Sequence, residues 1–134
     1  MWEKIKPTYG CQIRVDRGLY KHHGIYVSDD EVIHFASPNG SEISPQTAVV
    51  HKTTLENFLK GGELEVRTYT DEEKKQVRTP EEIVDYANAH LGEKGYNIVS
   101  NNCEHFSNRC AFGKSESEQV NNFENFLFSI FGGR

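Results

Sequence analysis

Apolar and polar residues alternate through much of the first half of the chain, and that two-residue period predicts strands. "CQIRV" puts Ile13 and Val15 on one face. "HGIYV" and "EVIHF" are two more such runs, and the short Asp-containing turn "SDD" between them predicts a hairpin. "SPNGSEISP" is rich in turn formers and reads as a loop. "TAVVHK" and "ELEVRTY" are further strands. Between them, "TTLENFLKGG" supplies one or two helical turns stopped by Gly61 and Gly62.

The second half changes period. In "TPEEIVDYANAHLG", Thr79 is an N-cap, Pro80 fits the first helical position and Glu82 completes a capping box. Ile83, Ala87 and Leu91 share a face flanked by Val84, and Gly92 is placed to end the helix. Asn102 caps a second helix from Cys103 to about Phe112. A last helix is expected from about Ser117 to Phe131, with Val120, Phe123, Leu127 and Ile130 as an apolar stripe. Strands followed by helices are the element order of an α+β fold class. With no repeat and no linker, residues 1–134 are expected to form one domain, carrying an apolar segment at about 118–131.

Charge and cysteine usage narrow the function. The formal net charge is −5 and no basic cluster tracks phosphates, so nucleic acid is not an expected partner. The three cysteines, Cys11, Cys103 and Cys110, are odd in number and lack CxxC spacing, which points to free thiols in a reducing compartment. The start "MWEKIKPTYG" has no apolar signal-peptide core, and no run reaches the ~20 apolar residues of a membrane span. A cytoplasmic protein is expected, with peripheral membrane contact through the C-terminal segment as one reading. That segment has no basic residue between Asn121 and Phe131, so packing on the domain or on a partner is favoured over lipid.

The densest chemistry lies in "SNNCEHFSNRC". Capped by Asn102, Cys103 stands in the first turn of its helix, where free N–H groups and the dipole favour thiolate. The same N–H groups suit an oxyanion. His105 is a poor base for Cys103, because successive helical residues diverge by about 100°. A base must come from elsewhere, and the hairpin offers His22, His23 and His34. His22 and His23 point to opposite faces of their strand, so only one of them can serve. Positions near 22 to 25 should face positions near 34 to 37, bringing one of the pair beside His34. Pattern alone leaves His22 and His23 unresolved. The plain alternative for Cys103 is a buried structural thiol. A zinc site of Cys103, His105 and Cys110 is disfavoured, because the first two diverge on a helix and no CxxC or HxxxH accompanies them. No metal or cofactor is expected. His51 and His90 read as ordinary strand and helix positions.

"YKHHGIYVSDDEVIHF" and "NNCEHF", joined by "EEIVDYANAHLGEKGYNIVSNNCEHF" and reaching "SESEQV", resemble the lecithin:retinol acyltransferase family and its phospholipase/acyltransferase branch. The likeness runs from about residue 9 to about residue 120, in order and spacing. It implies a permuted papain-like α+β domain, an N-terminal antiparallel sheet packed against C-terminal helices, with a Cys–His–His site: Cys103 as nucleophile, His22 as base and His34 as the group that orients His22. It also implies transfer of an acyl group, from a lipid ester such as a phospholipid, through a thioester to water, an amine or an alcohol. His23 falls where relatives carry an aromatic residue, and Ser28 where they commonly carry Gly. Two rivals keep the same residues: a papain-like amidase or peptidase, and a non-catalytic interaction domain.

Overall fold

The computed structural model describes residues 1–39 and 41–113. The expected last helix and apolar segment at about 118–131 therefore lie outside the described residues. Six strands form an antiparallel sheet: β1 (Trp2–Glu3), β2 (Gln12–Asp16), β3 (Lys21–Ser28), β4 (Glu31–Ala36), β5 (Val49–Thr53) and β6 (Leu64–Arg67), in the order β1-β6-β2-β3-β4-β5. Helices α1 (Leu55–Leu59), α2 (Asp71–Lys74), α3 (Pro80–Ala89) and α4 (Cys103–Phe112) complete the described part, which is α+β as expected.

Alternation along the strands gives the sheet two covered faces. Ile25, Ile33, Phe35 and Val50 pack with Ile83, Val84 and Ala87 of α3 and with Phe106, Cys110 and Ala111 of α4. On the other face Ile13, Val15, Val32 and Val66 pack around Phe58 of α1, with Leu55 and Leu59 at the margin. Because both faces are covered, polar residues on the central strands become buried and must find partners inside. Gln12 does so by donating from Nε2 to Ser107 Oγ and Asn108 Oδ1, both at 2.9 Å, which ties β2 to α4.

The helix starts follow their local signals. Thr79 caps α3 with Pro80 in the first turn and a reciprocal bond from Glu82, the expected capping box. The helix ends at Ala89, three residues before Gly92, so Leu91 leaves the expected apolar face and is exposed. A second capping box, Thr70 with Glu73, opens the short α2 that the periodicity did not suggest. The hairpin turns at Asp29 and Asp30, with Ser28 opposite Glu31. A register shift between Tyr26 and Ser28 sets Ile25 opposite Ile33, one position from the expected pairing.

Phe58 is the keystone of the second face. It is fully buried, its ring centroid is 5.0 Å from that of His22, and a Cβ at Gly24 would come within 2.8 Å of it. A side chain at Gly24 would force that ring to shift. Phe58→Ala is expected to lower the unfolding free energy by about 3–5 kcal/mol, measured by urea denaturation. A loss below about 1 kcal/mol would contradict this packing.

Candidate active site

Three histidines on neighbouring strands form the centre of the site. His22 of β3 and His34 of β4 are hydrogen-bonded, Nε2 to Nδ1, at 2.8 Å. His34 then meets His51 of β5, Nε2 to Nε2, at 3.0 Å. His34 and His51 are directly opposite in the β4–β5 ladder, so the contact follows from register. His51 Nδ1 lies 2.9 Å from the Val49 carbonyl oxygen. Sequence reading placed His22 and His34 together but passed over His51. The signal for it was the register of "EVIHF" against "TAVVHK", and that register is fixed only when β5 docks beside β4.

His22 and His23 do point apart. His22 faces Phe58, whereas His23 lies edge-on to Trp2 with centroids 5.4 Å apart, and its Nε2 is 4.0 Å from Glu104. Both are essentially inaccessible to water. Burial holds His22 and His34 well below the ordinary imidazole value, reinforced at His22 by Arg17 and at His34 by His22. Burial likewise takes His23 down to about 4, against the opposing pull of Glu104. All three are neutral at pH 7.

Cys103 begins α4 as expected. Asn102 caps the helix with its side-chain oxygen, accepting from the N–H groups of Glu104 and His105 at 3.0 and 3.1 Å. His105 turns back to accept the Asn102 N–H on Nδ1 at 3.0 Å, so it supports the helix start. The Cys103 sulfur rests 3.9 Å from the Lys21 carbonyl oxygen and close to the His23 backbone N–H. Those two groups bracket His22 along β3. Among the described residues, His22 Nδ1 is a buried ring nitrogen with no hydrogen-bond partner, including Cys103.

One electrostatic expectation is overturned. The helix start was expected to favour thiolate, yet burial pushes the Cys103 thiol up to about 12. The His23 and Glu104 amides act in the expected direction, but desolvation outweighs them and the carboxylates of Glu104 and Glu42 add to it. At rest the sulfur is a thiol. Cys110 is also a buried, raised thiol, in the core beneath α4, and Cys11 is half-buried on β2's flank with its thiol raised by burial.

Glu42, from the β4–β5 loop, is the other residue that sequence reading missed. Its carboxylate is gripped by Arg17, Nε to Oε1 at 2.6 Å and Nη2 to Oε2 at 3.2 Å, and by the Tyr20 hydroxyl. Burial pushes Glu42 up, but the bonds from Arg17 and Tyr20 prevail and hold it below the usual carboxylate value. Its Oε2 is 3.7 Å from His22 Nε2. Arg17 also donates to the Phe58 and Leu59 carbonyls at 2.6 and 3.1 Å, which fastens the end of α1 to the same cluster. Nothing local in "NGSEIS" marks Glu42, because its partners Arg17 and Tyr20 lie 25 and 22 residues away in the chain.

The family model described as lecithin retinol acyltransferase matches residues 5–116. Human phospholipase A and acyltransferase 4 is 35% identical over 125 residues, covering 86% of this chain and 76% of the relative. Mouse phospholipase A and acyltransferase 3 is 33% identical with the same coverage. Rat lecithin retinol acyltransferase is 27% identical over 134 residues, covering 85% of this chain and 58% of the relative. The match spans every strand and helix described above except β1, and the chain belongs to the lecithin retinol acyltransferase family.

Proposed function

We propose that this protein is a thiol acyltransferase or lipase that takes an acyl group from an ester, a phospholipid by analogy with the relatives' names, onto Cys103. One observation carries the reading. A buried imidazole presents an unpartnered nitrogen, His22 Nδ1, on the strand whose backbone touches the Cys103 sulfur. In this account the Cys103 S–H proton passes to Nδ1 as the sulfur attacks the ester carbonyl carbon. The tetrahedral oxyanion forms beside the first turn of α4. Collapse breaks the carbon–oxygen bond, and His22 returns its proton to the leaving alcohol. Water, an amine or an alcohol then attacks the thioester and gives its proton to His22, the carbon–sulfur bond breaks, and His22 passes that proton to the departing sulfur to restore the thiol. His34 orients His22 throughout, in a permuted papain-like arrangement.

Two features fit this cycle. The Glu42 carboxylate, 3.7 Å from His22 Nε2, favours the imidazolium that forms during attack. The raised thiol and the lowered imidazole mean that proton transfer accompanies attack and that no ion pair stands ready. In this reading the domain works in the cytoplasm on lipid presented at a surface. No helix among the described residues is long and apolar enough to cross a membrane.

Intact-protein mass spectrometry after incubation with mixed phospholipids should show an acyl mass on the wild type and none on Cys103→Ser. His22→Ala should lower kcat/KM by about 10²–10⁴. Undiminished turnover by the serine variant would sink the proposal.

The protonation state gives a separate test. Thiolate absorbs in the ultraviolet where thiol does not, and the difference between wild type and Cys103→Ser should show no such band near pH 7, emerging only as pH climbs towards about 12. His22 is the base only when neutral, so the acid limb of kcat/KM should lie below 6.5, the unperturbed value, because burial lowers its pKa. A thiolate band already present near neutrality would replace this mechanism with a preformed ion pair.

A further inference from the structure

We propose that His51 is a positioning residue that fixes which nitrogen of His22 carries hydrogen. The proposal rests on the acyl-transfer reading of His22 and concerns a residue outside the Cys103, His22 and His34 set. His51 and His34 stand in hydrogen-bonded contact, and His51 reaches the Val49 carbonyl, which can only accept.

The direction of the whole chain follows from that carbonyl. His51 Nδ1 must carry hydrogen to bond Val49. With hydrogen on Nδ1 alone its Nε2 is a lone pair, and His34 Nε2 is the donor at 3.0 Å. That leaves His34 Nδ1 as a lone pair, so His22 Nε2 must donate to it at 2.8 Å. The neutral His22 is thus left with a bare lone pair on Nδ1. The far end of the chain agrees independently: Nδ1 is the ring nitrogen with no acceptor nearby. The reverse set of tautomers would leave a buried N–H there with nothing to bond, and would set two lone pairs against each other at Val49. When His22 takes the Cys103 proton it becomes imidazolium, and its Nε2–H bond to His34 keeps its direction. No hydrogen bond in the chain has to reverse during the cycle. Ring packing holds the geometry, with His22 and His34 centroids 5.1 Å apart and His34 and His51 centroids 4.4 Å apart. Phe58 closes the chain from one side, at 5.0 Å from His22 and 5.9 Å from His34.

The test is long-range ¹H–¹⁵N correlation of the histidine rings in the full chain at neutral pH, with kinetics of His51→Phe and His51→Gln. The wild type should show His22 and His34 each protonated on Nε2 alone, and His51 on Nδ1 alone. His51→Phe removes the acceptor, so the His34 and His22 signals should become tautomer mixtures. Its kcat should fall about tenfold or more with KM unchanged, the scale on which loss of an orienting partner is felt. Gln carries an oxygen near the position of Nε2, and His51→Gln should restore the tautomers and keep kcat within about threefold of wild type. Hydrogen on Nδ1 of wild-type His22 would overturn the proposal, even if neither variant folds. So would a His51→Phe protein with wild-type tautomers and wild-type kcat. Failure of the acyl-transfer reading would look different: no acyl mass on wild-type Cys103, whatever the tautomers.

Discussion

An imidazole shut inside a sheet cannot leave its N–H unbonded, and this constraint organises the molecule. His22, His34 and His51 sit on three successive strands and meet it by bonding one another, ending on a backbone carbonyl. Covering the sheet on both faces takes the two inner rings out of water, which keeps them neutral. Neutrality makes each ring a donor at one nitrogen and an acceptor at the other, so the chain has a direction. Phe58 packs over it, and Gly24 is bare because that ring needs the space. Arg17 links the carboxylate beside His22 to the end of the helix that carries Phe58.

The same burial changes the character of the sulfur. Considered alone, the N-terminus of α4 would make Cys103 a thiolate. Within the fold, Cys103 is 2% exposed, and the desolvation cost of a charge exceeds what a few amide dipoles return. A site built this way is a neutral acid–base pair at rest. In the proposed cycle charge would separate only during attack, next to a carboxylate already held ionised by Arg17 and Tyr20.

What could be read in the sequence was what is fixed within a few residues. Thr79, Pro80 and Glu82 declare the start of α3, Asn102 declares that of α4, and the Asp-containing turn declares the hairpin. The capping box of Thr70 and Glu73 was equally local and marks the helix that periodicity missed, α2 being too short to have a face. His22 against His34 was nearly legible because a hairpin supplies its own register, off by one at the shift before Ser28. His51 and Glu42 were not legible. His51 reaches the site only because β5 docks on β4, and Glu42 only because a loop folds back over Arg17. The Cys103 pKa failed for the same reason: its local signal was read correctly, and a non-local desolvation reversed it.

Neutral imidazoles held in a sealed network have a direct thermodynamic consequence. His22 and His34 have folded-state pKa values below the unfolded value of 6.5. Below that pH the unfolded chain binds protons that the folded chain refuses, so stability is full above it and is lost as pH falls. The carboxylates respond only lower, since Glu42 starts from 4.5 and is depressed further. The decisive measurement is the unfolding free energy by urea titration between about pH 7 and about pH 5, where each such histidine contributes up to about 1.4 kcal/mol per pH unit. The account predicts a decline with a slope of more than one proton. A free energy that stays flat across that window, or rises as the solution is acidified, would contradict it.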